Sequence, residues 1–215
     1  MMLKLYGHAF SSYTWKALIP FYANDLPFAF LTVEDAANWE VVQAASPLGK
    51  FPLLADGDSL IFETTTIIEH LAQHYLPQAG LVPTDPDPAI ETRKMDRVFD
   101  HYVMNVMQDT VNAYLRDASN TDQVTIASVR DRLERVYRWL DNWLATYARP
   151  HQVTLIECAA APSLFYADWV HPIPDDFARL QNWRAHLLAL PAVARCVDDA
   201  RPYRANFPPG APDRD

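Results

Sequence analysis

The rhythm of hydrophobic and polar positions changes once along the chain, near residue 80. Upstream, short apolar runs alternate with amphipathic ones. Leu3-Lys4-Leu5-Tyr6 reads as a strand, Tyr13 to Asn24 as a helix and Pro27 to Val33 as a second strand. A polar helical stretch from Ala36 to Ala45 follows, then two short strands at Phe51 to Ala55 and Ser59 to Phe62, and a helix from Thr64 to Tyr75. Pro20 removes an amide donor inside the first helix and is expected to kink it or cost stability. Downstream, strand periodicity is almost gone. Met95, Val98, Phe99, Tyr102 and Val106 recur at helical spacing, as do Ile126, Val129, Leu133, Val136, Leu140, Trp143 and Leu144. Thr154-Leu155-Ile156-Glu157, just ahead of a long apolar run, predicts a capping box in which threonine and glutamate satisfy orphan amides of a helix start. Further helices are expected at Phe177 to Leu190 and Pro191 to Arg201, and the Pro-, Gly- and charge-rich tail from Tyr203 is expected to fray.

The upstream order, βαβ, then α, then ββα, describes a small α/β sandwich with a parallel start and a closing hairpin, the thioredoxin-like arrangement. An all-α region follows it. Pro77, Pro83, Pro86 and Pro88 crowd the join, which places the first domain at 1–78, a linker at 79–88 and the helical domain at 89–215. Charge shifts at the same place: residues 1–80 hold three lysines, no arginine and eight acids, and residues 81–215 hold fourteen arginines, one lysine and nineteen acids.

Half of the 215 residues are hydrophobic and 21% are charged, the composition of a globular protein with enough chain to bury a core. A formal charge of −9 disfavours a nucleic-acid partner. The N-terminus lacks the basic and apolar regions of a leader, and no stretch approaches the roughly 18 apolar residues of a membrane span, so a cytoplasmic location without membrane association is expected. Cys158 and Cys196 stand too far apart for a CxxC pair or zinc knuckle and read as buried small hydrophobes.

Three segments of the first domain carry candidate chemistry. Phe10-Ser11-Ser12-Tyr13-Thr14 lies between a strand and a helix, where a hydroxyl beside a helix N-terminus sits in a field that favours anions and would acidify a bound thiol. Gly49-Lys50-Phe51-Pro52-Leu53 opens a strand with proline; with a cis bond, Phe51 can offer its amide and carbonyl to an extended peptide. Phe62-Glu63-Thr64-Thr65 starts another helix, whose amides and hydroxyl can seat a carboxylate while Glu63 answers an ammonium. Lys50 is the only lysine or arginine between Lys16 and Arg93. A ligand that satisfies all of these groups has a backbone-like middle, a carboxylate, an amine and a thiol. Glutathione has these parts.

With those segments in view, the chain resembles a soluble glutathione transferase of bacterial-like, serine-dependent type, akin to the zeta, phi and theta classes, over essentially its whole length. LYGHAFSSYTWKALI resembles the opening of the zeta and phi-like classes, GKFPLL the cis-proline strand, and FETTTIIEHL the family's E-S-x-x-I-x-x-Y-L helix start. The resemblance implies Ser11 as the thiol-activating hydroxyl, with Ser12 as the alternative because the cysteine-dependent beta class aligns its functional position there. It implies Pro52 as the cis-proline, Phe51 for the cysteinyl part, Glu63 and Thr64 for the γ-glutamyl end, and Lys50 for the glycyl carboxylate region. It further implies glutathione as co-substrate, a small electrophile as second partner, a homodimer and a role in detoxification. Phe10, Tyr13, Tyr102 and Met104 are candidates for the electrophile pocket. Thr64 replaces the usual serine, Glu157 the usual aspartate, and Tyr13 the zeta-class cysteine, so the maleylacetoacetate isomerase activity of that class does not carry over.

A serine cannot form a mixed disulfide, which disfavours dithiol exchange, but it can donate a hydrogen bond to a thiolate and lower its pKa. A non-catalytic glutathione binder or scaffold, and a glutathione-dependent isomerase or peroxidase, stay open as alternatives. No metal is expected: His70 and His74 lie four apart, but Glu69 precedes them, which is not the H-E-x-x-H pattern. His8 near Ser11 lacks a G-x-S-x-G elbow and is not read as half of a hydrolase dyad.

Overall fold

The computed structural model describes residues 2–215. A four-stranded sheet is formed by β1 (Leu3–Gly7), β2 (Phe28–Thr32), β3 (Leu53–Asp56) and β4 (Ser59–Phe62) in the order β2-β1-β3-β4. β1 and β2 run parallel, β1 and β3 antiparallel, and β3 and β4 form the hairpin. Helices α1 (Ser12–Ala23), α2 (Ala36–Ala45) and α3 (Thr64–His74) complete this half. The alternation along β1 separates two cores. Leu3 and Leu5 join Trp15, Leu18 and Ile67 in the main core, while Tyr6 meets Val42 and Leu53 beneath α2.

The second half is a bundle of α4 (Pro86–Val98), α5 (Asn105–Arg116), α6 (Gln123–Trp143), α7 (Leu155–Val170), α8 (Ala178–Ala189) and α9 (Pro191–Ala200), followed by a 3₁₀ turn at Arg201–Asn206. This is a thioredoxin-like domain followed by an all-helical one. The stretch α4 to α5 is continuous through a π-helical turn, Phe99–Met104. α4 starts inside the stretch expected as linker, because Pro86 occupies the first helical turn, where a missing amide costs nothing.

α7 is the axis of the bundle, with every residue from Leu155 to Trp169 buried. Its capping box forms as expected: Thr154 Oγ1 accepts from the Ile156 amide at 3.2 Å, and Glu157 Oε2 accepts from the Thr154 amide at 3.0 Å. The Leu155 amide also donates to the Leu81 carbonyl at 2.8 Å, tying the connecting segment to the helix start. α1 lies between the sheet domain and the bundle and is buried from Thr14 to Phe21, so it is apolar on nearly every side. Pro20 does not end it; the helix continues to Ala23, and Asn24 Nδ2 donates to the Pro20 carbonyl at 2.8 Å.

The tail departs from the expectation of fraying. Asp215 pairs with Arg201 at 2.7 Å and with Arg204 at 2.8 Å, Arg214 pairs with the buried Asp168, and the Arg204 guanidinium lies 4.9 Å from the Trp169 ring centroid. Charges that suggested a solvated end are instead the groups that pin it, and Phe207 is buried.

Candidate active site

The loop between β1 and α1 is set by one close approach. A methyl group at Gly7 would lie 2.7 Å from Thr14 Cγ2, so the strand end and the first helical turn meet only because residue 7 has no side chain. Thr14 Oγ1 accepts from the His8 amide at 3.3 Å, and the Ser11 hydroxyl caps α1 by accepting from the Thr14 amide at 3.3 Å. That cap fixes Ser11 while leaving its hydroxyl proton available to a ligand. His8 faces away: its Nδ1 accepts from the Phe10 amide at 3.1 Å and its Nε2 stands 3.6 Å from Glu34.

Two cavities flank this helix start. The first, about 220 Å³, brings together Lys50, Phe51, Pro52, Glu63 and Thr64 with Tyr13, Ser46, Phe62, Thr65, Arg97, Asp100, His101 and Asn105. The Phe51–Pro52 peptide bond is cis, and Phe51 lies beyond the β1–β3 pairing, which reaches only to Leu53 opposite Tyr6. Glu63, just ahead of α3, has φ +68°, a left-handed backbone of the kind that costs of order 1–3 kcal/mol and collects at binding sites. The second cavity, about 260 Å³, is lined by Phe10, Ser11, Ser12, Tyr13, Met107, Gln108, Val111, Tyr166 and the tail residues Asn206 to Pro208. Tyr166 spans the domains, donating from its hydroxyl to the Phe10 carbonyl at 2.8 Å while its ring packs edge-on against Phe10.

Lys50, Phe51, Pro52, Glu63 and Thr64 therefore surround one cavity, and Phe10 and Tyr13 line the second. Tyr102 and Met104 require correction. Tyr102 is 58% exposed and Met104 is in the core, because on one helix His101 and Asn105 share the face turned to the first cavity while their neighbours point outward or inward. Met107 and Val111 supply the bundle's wall of the second cavity instead. A wider groove of about 790 Å³ between α5 and α6, with Asp109, Arg116 and Arg132 around it, lies apart from both.

Sequence reasoning missed an ionic cluster beneath the first cavity. Lys16, buried in α1, stands 2.6 Å from Asp96 and 2.7 Å from Asp100, and donates to Thr65 Oγ1 at 3.2 Å. Thr65 donates to Asp96 at 2.8 Å, and Arg97 bridges Thr65, Asp96 and Asp100. Burial pushes the Asp100 carboxyl above its ordinary pKa and Lys16 pulls it back. The available signal was a lone lysine in the apolar run of α1, which cannot be buried without a carboxylate partner. Elsewhere, His70 pairs with Asp56 at 3.0 Å. Cys158 and Cys196 are buried, and burial pushes both thiols up, away from reactivity.

The fold is thus a thioredoxin-like domain followed by a helical one, with two cavities on either side of the start of α1. Residues 5–79 match the family model for the glutathione S-transferase N-terminal domain. A glutathione S-transferase of Hyoscyamus muticus is 23% identical over 92% of this chain and 99% of its own, and glutathione S-transferase Z2 of Arabidopsis thaliana is 25% identical over 93% and 92%. Among solved structures, glutathione transferase F7 from Populus trichocarpa superposes with a TM-score of 0.77 at 21% identity, covering 92% of this chain and 99% of that one. A glutathione S-transferase from Methylobacterium radiotolerans, in complex with glutathione sulfonate, superposes with a TM-score of 0.76 at 23% identity, covering 92% and 95%. Residues 5–79 thus carry the likeness to the glutathione S-transferase N-terminal domain, and along its length the chain is similar to soluble glutathione S-transferases.

Proposed function

We propose that this protein is a glutathione transferase that binds glutathione in the first cavity and directs its thiolate at a small hydrophobic electrophile in the second. The observation that carries the reading is the convergence of Lys50, Phe51, Pro52, Glu63 and Thr64 on one cavity beside the start of α1. Phe51 offers its backbone to the cysteinyl part, Glu63 and Thr64 take the γ-glutamyl end, and Lys50 faces the glycyl carboxylate. Ser11, oriented by its cap bond, donates to the sulfur; Ser12 is the alternative donor on the same wall. A hydrogen bond to a charged group contributes about 1.5–3 kcal/mol, enough to lower the thiol pKa by one to two units. Deprotonated sulfur then attacks the electrophile and forms a carbon–sulfur bond: from an aryl halide the halide departs with the bonding electrons, and on an activated alkene the π electrons move to the neighbouring carbon, which takes a proton from solvent.

In this reading residues 1–78 are the glutathione-binding domain, 79–88 the linker and 89–215 the helical domain that completes the electrophile pocket. The protein acts in the cytoplasm as a detoxifying homodimer, with Leu60 and Phe62 exposed on edge strand β4 for a second copy to cover. Among the described residues no helix is long and apolar enough to cross a membrane. The test is glutathione-dependent turnover of model aryl halides and activated alkenes by the wild type and by Ser11→Ala and Ser12→Ala. Loss of turnover in Ser11→Ala with binding retained is the expected result. Loss only in Ser12→Ala moves the role to Ser12, and binding by the wild type without turnover on any electrophile identifies a glutathione-binding scaffold.

A further inference from the structure

Two helices reach the first cavity with opposite ends. α3 begins there: no side chain caps its first amides, which stand beside Glu63 and the buried Thr64 hydroxyl, a place that favours a carboxylate. α2 finishes there. Its C-cap is Ser46 and its last turn holds no basic residue. The loop that follows folds back onto the same cap, the Gly49 amide donating to the Ser46 carbonyl and the Lys50 amide to Ser46 Oγ, each at 3.0 Å. The C-terminal end of a helix carries partial negative charge and disfavours a carboxylate.

The sequence deepens the contrast. Residues 17–49 contain no lysine, arginine or histidine, and they contain the acids Asp25, Glu34, Asp35 and Glu40. Among the described residues, Lys50 is the one positive group that the sheet domain brings to the cavity; it is exposed, and its ammonium has no hydrogen-bond or ion-pair partner to hold it in one place. The helical domain adds Arg97 and His101. Arg97 is already bound to Asp96 and Asp100, and His101 Nδ1 lies 3.1 Å from Asn105 Nδ2. A solvated, flexible lysine paired with a carboxylate changes affinity by no more than about fivefold.

We propose that the thiol site reads the γ-glutamyl end of its ligand and not the glycyl carboxylate, so that its co-substrates are γ-glutamylcysteinyl thiols as a class, including those whose glycyl carboxylate is neutralised as an amide. This rests on the glutathione reading above, which sets the γ-glutamyl end at Glu63 and Thr64 and the glycyl end at Lys50. The γ-glutamyl carboxylate meets the start of α3 and the Thr64 hydroxyl, and the ammonium meets Glu63. At the far end, replacing the carboxylate by a carboxamide gives up the Lys50 pair but also takes a negative charge away from the end of α2. The two changes oppose each other, and the sulfur is the same in each thiol.

The test is titration calorimetry of the wild type with glutathione, with its glycyl amide, and with 4-aminobutyryl-cysteinylglycine, which lacks only the γ-glutamyl carboxylate. The glycyl amide is expected to bind within about fivefold of glutathione, and the 4-aminobutyryl analogue at least about tenfold more weakly. In Lys50→Ala the glycyl amide is expected to bind as tightly as glutathione or more tightly. A glycyl amide more than fivefold weaker than glutathione on the wild type overturns the proposal while leaving the glutathione seat in place. So does a 4-aminobutyryl analogue that binds within tenfold of glutathione, and so does a Lys50→Ala variant that still prefers glutathione to its amide. No binding of glutathione by the wild type at millimolar concentration overturns the transferase reading, and this one with it.

Discussion

The two cavities on either side of Tyr13 are made in different ways. The first is polar, built on a hairpin and two helix starts of the sheet domain, and backed by a buried ionic cluster that joins α1 and α3 to α4. The second is lined largely by apolar and aromatic side chains from α1, α5, α7 and the tail. Backbone and charge define one; side-chain bulk defines the other. The contrast teaches how a single fold can keep one ligand and change its second, because substitutions at Met107, Val111 or Phe207 reshape the second cavity without touching the groups that surround the first.

The largest expected effect comes from the ionic cluster that couples the two domains. Lys16→Met leaves Asp96 and Asp100 buried with Arg97 alone, and removing one partner of a buried pair costs about 3–5 kcal/mol. The loss should read as a lower urea midpoint and should be larger at neutral than at acid pH. Asp100 already has a raised carboxyl pKa, so the folded state favours its protonation; without Lys16 that pKa rises further, and acid neutralises the stranded charge. An equal loss at both pH values would mean the cluster's worth is packing, not charge.

Next is Gly7→Ala, whose new methyl must displace Thr14 and with it the cap of α1. Overpacking of this kind costs about 1–3 kcal/mol, and the same variant should weaken glutathione-dependent turnover. Thr154→Ala removes half of the capping box and should lower stability by about 1 kcal/mol while leaving glutathione affinity unchanged. Removing Phe207 to Asp215 separates the cavities most cleanly: the Michaelis constant for the electrophile should rise while glutathione affinity holds. If both change together, the cavities are not independent. The smallest effect is expected for Lys50→Ala, an exposed cation, whose loss should weaken glutathione binding roughly two- to five-fold, and less at high salt.

The same division governs what could be read in the sequence. Ser11, Lys50, Phe51, Pro52, Glu63 and Thr64 belong to short segments whose chemistry is local: a helix start, a proline at a strand, a carboxylate seat. They were legible before any fold was known, as were the order of the sheet elements and the capping box at Thr154. Arg97, Asp100, His101 and Asn105 reach the first cavity only through long-range pairings with α1, Lys16 with Asp100 and Tyr13 with Asn105, which have no local signature. Tyr102 and Met104 failed as candidates for a related reason: adjacent residues of one helix cannot all face one space, and spacing alone does not say which face is turned inward. The tail was misread because its prolines and charges suit solvent equally well; only the positions of Asp168 and Trp169 turn Arg204 and Arg214 into anchors.

The central claim is that the first cavity is a glutathione seat. Titration calorimetry of glutathione into the wild type and Thr64→Val tests it most directly, since Thr64 is buried at the start of α3 and lines that cavity. Binding of one glutathione per chain, weakened at least tenfold in Thr64→Val at unchanged thermal stability, is the predicted result. No heat of binding from the wild type at millimolar glutathione, or equal binding by the two proteins, would contradict it.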